Sequence, residues 1–133
     1  MSEDCIFCKI IEGEVPSHKV YEDENVYAFL DTEPVSKGHT LVIPKEHVET
    51  VHEAEEMSYM WEAIVKVANS VKSAFEPEGL NITQNNGAVA GQEVFHMHFH
   101  VTPRYTGEEV ELSYNRSELE NGEELAEKIR GKV

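Results

Sequence analysis

Basic residues are scarce in this chain. Eleven Lys and Arg face 26 Asp and Glu, giving a formal net charge of −15 at pH 7. That imbalance disfavours a non-specific nucleic-acid binder, which needs a basic footprint. It also opposes long-range steering of anionic substrates, so any phosphate site has to be built locally. Cysteine is nearly absent: the chain has only Cys5 and Cys8. Two thiols suit a reducing compartment and a metal or free-thiol role better than a disulfide scaffold. No run approaches the roughly 18–20 apolar residues that span a bilayer. The opening Met1-Ser2-Glu3-Asp4 is acidic and lacks the basic start and apolar stretch of a secretory leader. These features lead us to expect a cytoplasmic protein with neither a membrane nor a nucleic-acid partner. The acidity is almost all glutamate, for which a solvated surface is the simpler account and salt adaptation the alternative.

What is present is enough for a folded domain. At 133 residues and 40% hydrophobic content, one domain can bury a core without staples. Repeats and low-complexity tracts are missing, so residues 1–133 read as a single domain. Residues 2–11 predict a short helix, with Ser2, Glu3 and Asp4 at its start and Gly13 past its end. Cys5 and Cys8 share one face of it. Residues 19–22 and 26–30 predict strands joined by a turn at Asp23-Glu24-Asn25, and residues 39–43 predict a third, stopped by Pro44. Residues 53–76 carry apolar side chains at helical spacing, including Met57, Met60, Trp61, Ile64, Val67, Val71 and Phe75. That stripe is accounted for by core packing. Residues 80–84 predict another strand, followed by a small-residue loop, Asn85 to Gln92. Ser117 and Glu120 fit a capping box for a helix over 117–128. The whole pattern predicts an α+β fold, a mostly antiparallel sheet with one long helix packed on it.

The densest chemistry lies in Phe95-His96-Met97-His98-Phe99-His100-Val101. In a strand, alternate side chains share a face, so the three imidazoles would line one face about 7 Å apart. Val94 would sit on that face too, while Phe95, Met97, Phe99 and Val101 would bury the other. Histidine serves as nucleophile, general acid or base, or metal ligand near neutral pH. A solvated strand face is the plainer alternative, but it leaves the strict period and the adjacent Gly/Asn loop unexplained.

This run resembles the motif of the histidine triad superfamily. Other blocks match its Hint-like branch in order: Cys5-Ile-Phe-Cys-Lys-Ile-Ile, Tyr21-Glu-Asp, Ala28-Phe-Leu-Asp31, Gly38-His-Thr-Leu-Val-Ile-Pro-Lys45, Asn86-Gly and Gly91-Gln92. The likeness covers about residues 5–105 and leaves 106–133 as a divergent tail and helix. It implies a HIT-like fold and a hydrolase that cleaves the bond between a nucleoside 5′-phosphate and its leaving group through a nucleotidyl-histidine intermediate. By position His98 would be the nucleophile, with His100 and His39 bonding phosphate or orienting the site. Phe7, Ile10, Phe29 and Thr32 would wall a purine base, and Asp31 would accept from the ribose hydroxyls. For Asp31 a role as a turn residue before Pro34 remains the alternative. Asn85 and the backbone N–H groups of Glu93 and Val94 would meet the phosphate.

The resemblance further implies a homodimer and a structural zinc ion, Zn(2+), held by Cys5, Cys8, His47 and His96. Two buried thiols without metal are the other reading. Glu93 is a departure, since relatives usually carry Ser or Thr there. A carboxylate would hinder anionic leaving groups, recognise a cationic one, or point to solvent. The rivals are a dinucleoside polyphosphate hydrolase, a nucleotide-binding interaction module with little turnover, and a metal-storage protein.

Overall fold

The computed structural model describes residues 4–110 and 115–133. Five strands form one antiparallel sheet: β1 Lys19–Glu22, β2 Val26–Leu30, β3 Thr40–Pro44, β4 Gly79–Gln84 and β5 Phe99–Arg104. Their order across the sheet is β1-β2-β3-β5-β4. Three helices accompany them: α1 Ile6–Ile11, α2 Tyr59–Phe75 and α3 Gly122–Arg130. The architecture is α+β, as the pattern of elements predicts.

The β1–β2 hairpin closes on Asp23, whose Oδ1 accepts from the N–H groups of Asn25 and Val26 at 2.8 Å each. This is the turn chemistry that favours Asp at such a position. The middle strands are buried on both faces. Val26, Ala28 and Val42 pack with Met60, Ile64 and Val67 of α2. Tyr27, Phe29, Leu41 and Ile43 turn the other way and pack with Cys5, Phe7, Cys8 and Ile10. Strand alternation thus gives two cores, and the one under the short α1 contains the candidate site. Gly38 makes a close approach possible before β3: its φ is +94°, and an added Cβ would come within 2.8 Å of the Phe75 ring.

Several elements depart from expectation. The first helix begins at Ile6, because Cys5 is its cap and accepts from the Cys8 N–H through Sγ at 3.3 Å. The capping expected of Ser2 and Glu3 lies outside the described residues. The long helix begins at Tyr59 rather than near residue 53. Val51 N donates to Asn86 Oδ1 at 2.7 Å, and Met97 N donates to Val48 O at 2.7 Å. These ties hold 48–53 against the loop before the histidines, off the helix axis. Trp61 is 65% exposed, since Met60, Ala63, Ile64 and Val67 form the buried stripe. β3 ends on Pro44, which is its last residue, and β5 carries Pro103 one residue before its end. The last helix spans Gly122–Arg130, with Ser117 to Glu120 outside it. Asn121 adopts a left-handed conformation (φ 57°) and, with Gly122, marks a turn where the capping box predicted helix interior.

The largest departure concerns the histidine run. Ladder pairing to β3 extends only over Phe99↔Val42, His100↔Leu41 and Val101↔Thr40. Residues 93–98 bend away before that point. Period-two alternation therefore does not hold over the whole run. Phe95, expected in the core, is 46% exposed, while Met97 and Val101 are buried as expected.

Candidate functional site

The bend separates the three histidines. His96 is fully buried, and its Nε2–H donates to the Pro44 carbonyl at 2.8 Å. Its Nδ1 is thereby left as a lone pair. That atom stands 3.3 Å from Cys5 Sγ, 3.6 Å from Cys8 Sγ and 3.2 Å from His47 Nδ1. His47 Nδ1 lies 3.4 Å from Cys8 Sγ. Four ligand atoms therefore converge within 4.8 Å of one another. Tetrahedral zinc with ordinary bond lengths has edges of about 3.3 Å between nitrogens and about 3.5 Å between sulfur and nitrogen. The cluster thus has the donor set and spacing for a metal ion. Burial lowers the His96 pKa to about 4, and the neighbouring His47 and His98 add to the effect, while its bond to the Pro44 carbonyl opposes it.

His98 faces the other way. Its Nδ1–H donates to the carbonyl of His96 at 2.8 Å, so Nε2 carries the free lone pair. The ring is 8% exposed and meets the edge of Phe7 at 5.2 Å and the His100 ring at 5.1 Å. A chain of hydrogen bonds also sets the His100 tautomer. Val35 N–H donates to His39 Nδ1 at 3.1 Å. The His39 proton therefore sits on Nε2, which donates to His100 Nδ1 at 2.9 Å. The remaining proton of His100 is then on Nε2. Burial lowers both pKa values, that of His100 to about 4, where the His98 and His39 imidazoles add to the shift. In the neutral tautomers that these bonds set, the site has a bare imidazole nitrogen on His98 and an N–H donor on His100.

Both rings open on a cleft of about 490 Å³. Its lining includes Phe7, Ile10, Phe29, Asp31, Thr32, Glu93 and Val94, each expected at the site. Two expected residues stay off the cleft lining. Asn85 is not among the lining residues, and its Nδ2 donates to the Gly91 carbonyl at 3.4 Å. His39 is buried behind His100 and does not line the cleft. Asp31 lines the cleft and also has the turn contact of its alternative reading. Its Oδ1 accepts from Glu33 N–H at 2.8 Å, closing a turn, while Oδ2 lies 3.7 Å from His39 Nε2.

Other contributors were not legible as site residues. Val15, Pro16, Ser17, Glu33 and Leu41 also line the cleft. Gln92 is 3% exposed and anchors the loop entering the histidine run. Its Oε1 accepts from Gly87 N–H, and its Nε2 donates to the carbonyls of Glu49 and Val94. A glutamine in a small-residue loop was the available signal. Among the described residues, the backbone N–H groups of Glu93 and Val94 donate to no protein acceptor. Phe7 joins the two parts of the site: its ring contacts His96 at 5.9 Å, His98 at 5.2 Å and Phe29 at 5.5 Å.

Comparison with known proteins gives consistent matches. Residues 12–107 match the family model of the HIT domain. The Protein hit of Bacillus subtilis is 57% identical over 106 residues, covering 78% of this chain and 73% of that protein. The adenosine 5′-monophosphoramidase hnt1 of Schizosaccharomyces pombe is 44% identical over 134 residues, covering 95% and 98%. The crystal structure of a HIT family member from Bacillus subtilis superposes with a TM-score of 0.88 at 46% identity, covering 98% of each chain.

Proposed function

From the premise that this chain belongs to the HIT domain family, we propose that it is a nucleotide-binding hydrolase that cleaves nucleoside 5′-phosphoramidates. The observation that carries this reading is the pairing of a bare His98 Nε2 with a His100 Nε2–H at one cleft. The first is a nucleophile in its neutral form, and the second is a donor for a phosphoryl oxygen.

The reaction runs in two displacements. His98 Nε2 attacks phosphorus, the P–N bond breaks, and its electron pair leaves with the amine, which takes a proton from solvent. The phosphorylated imidazole keeps its Nδ1 proton and becomes cationic. The carbonyl of His96, already bonded to that proton, stabilises the new charge. Water then attacks phosphorus, releases a proton to solvent, and the P–N bond to His98 breaks. The products are the nucleoside monophosphate and the free amine. His100 Nε2–H and the N–H groups of Glu93 and Val94 stabilise the phosphoryl oxygens. His39 holds the His100 tautomer. Asp31 accepts from the ribose hydroxyls, and the apolar walls of Phe7, Ile10, Phe29 and Thr32 take a purine. Asn85 acts through Gly91 on the loop.

Cys5, Cys8, His47 and His96 hold a structural zinc ion in this reading. Four protein donors leave no open position for catalysis. The ion would instead clamp α1, and with it Phe7, onto the catalytic ring. A homodimer is proposed from the family likeness, and the exposed Trp61 on α2 is compatible with it.

The test is hydrolysis of an adenosine 5′-phosphoramidate beside a diadenosine polyphosphate, with His98→Ala as control. The expected result is cleavage of the phosphoramidate, lost by at least about 10³-fold in the variant. Preference for the polyphosphate, or activity surviving in His98→Ala, overturns the proposal.

A further inference from the structure

Among the described residues, the cleft assigned to an anionic phosphate is lined by three carboxylates, Asp31, Glu33 and Glu93, and by no Lys or Arg. Of the three, Asp31 is engaged by the Glu33 N–H and faces His39. Glu93 differs. It is exposed and, among the described residues, its carboxylate has neither a hydrogen-bond nor an ion-pair partner. Its backbone is nonetheless fixed, because the neighbouring Gln92 side chain is tied to Gly87, Glu49 and Val94. The carboxylate is thus an unneutralised charge on a rigid loop.

We infer that Glu93 is the residue that sets leaving-group specificity, selecting phosphoramidates whose leaving amine carries a further positive charge. This rests on the hydrolase reading of the same cleft. Its backbone N–H is assigned to the phosphoryl group, and the residue lines the same cleft as His98 and His100. A polyphosphate leaving group would bring several negative charges beside this carboxylate, with no Lys or Arg in the lining to offset them. A diamine or lysine-like leaving group brings a cation that pairs with Glu93 while the phosphoryl charge stays with the histidines and the loop N–H groups. Charge on the departing group, more than its bulk, decides which substrate is taken.

The test uses three adenosine 5′-phosphoramidates of matched length, with leaving groups 1,5-diaminopentane (cationic), pentylamine (neutral) and 5-aminopentanoate (anionic). For the wild-type protein, kcat/KM should favour the cationic over the neutral compound by about fivefold, the upper range for an exposed ion pair. The preference should shrink with added salt. Glu93→Gln should bring that ratio close to one, and Glu93→Lys should favour the anionic compound. A ratio unchanged in Glu93→Gln overturns the inference. The same ratios are read as Kd on a His98→Asn variant, which separates the two claims. A charge preference in binding with no turnover by the wild-type protein keeps the role of Glu93 and defeats the hydrolase reading. Turnover without a charge preference does the reverse.

Discussion

His96 and His98 are two residues apart and similarly buried, yet their rings enter different chemical surroundings. The His96 ring joins two thiols and a second imidazole, with its inward nitrogen unprotonated. The His98 ring joins an apolar aromatic wall and a second imidazole, with its outward nitrogen unprotonated. In both cases one hydrogen bond to a backbone carbonyl decides which nitrogen is available. The Pro44 carbonyl takes Nε2–H of His96 and leaves Nδ1, whereas the His96 carbonyl takes Nδ1–H of His98 and leaves Nε2. The same residue type thus presents a different bare nitrogen according to the acceptor behind it. The two regions also touch through Phe7, carried between the cysteines of α1.

The sharpest way to separate the two regions is to remove one member of each. His98→Ala should abolish turnover while leaving the melting temperature nearly unchanged. Cys5→Ala, or treatment with a strong chelator, should act mainly on stability, lowering the melting temperature and the bound metal together. Metal analysis beside calorimetry checks both. If Cys5→Ala keeps wild-type melting and metal content, the structural-metal half of the contrast fails.

A smaller effect is expected one step behind the cleft. His39→Asn removes the partner that sets the His100 tautomer. It should lower kcat by roughly 10- to 100-fold, the range typical of a residue that orients a catalytic group. It should change KM far less. A variant whose loss lies wholly in KM would contradict a positioning role.

The smallest expected effect is on pH. The folded pKa of His100 lies at about 4, below its ordinary 6.5, because burial disfavours the cation. Between those values the unfolded chain binds more protons than the folded one, so stability rises with pH. This contribution is complete above about pH 6.5 and is lost as the pH falls toward 4. His39, also lowered by burial, acts in the same direction. Melting temperatures from pH 7.5 to 4 should therefore fall less steeply for His100→Asn than for the wild type. Parallel curves would count against a buried neutral His100.

Much of this was legible in the chain itself. The strands at 19–22 and 26–30, the Asp23 turn and the period of α2 follow from local patterning, because each element has one face to bury. The members of both clusters were named through the family resemblance, since His39 and His47 lie far along the chain from the clustered histidines. Asn85 and His39 were harder to place: Asn85 bonds Gly91, and His39 stands behind His100. Nothing in spacing distinguishes a residue that lines a cleft from one that holds its neighbour.

The sequence by itself determined which elements form, which side chains are apolar and that histidines crowd one segment. Only the tertiary structure decided where each histidine ring points and which nitrogen it leaves bare. The rule of alternating faces holds where a ladder pairs the backbone, and here pairing to β3 reaches back only to Phe99. Before it, Met97 N bonds Val48 O and the chain bends. The direction of the His96 ring is then set by the distant Pro44 carbonyl and by α1 packing across the sheet, and that of His98 by the His96 carbonyl. The contacts of His96 join residues about 50 to 90 positions apart, as with Pro44 and Cys5, and no local pattern encodes them.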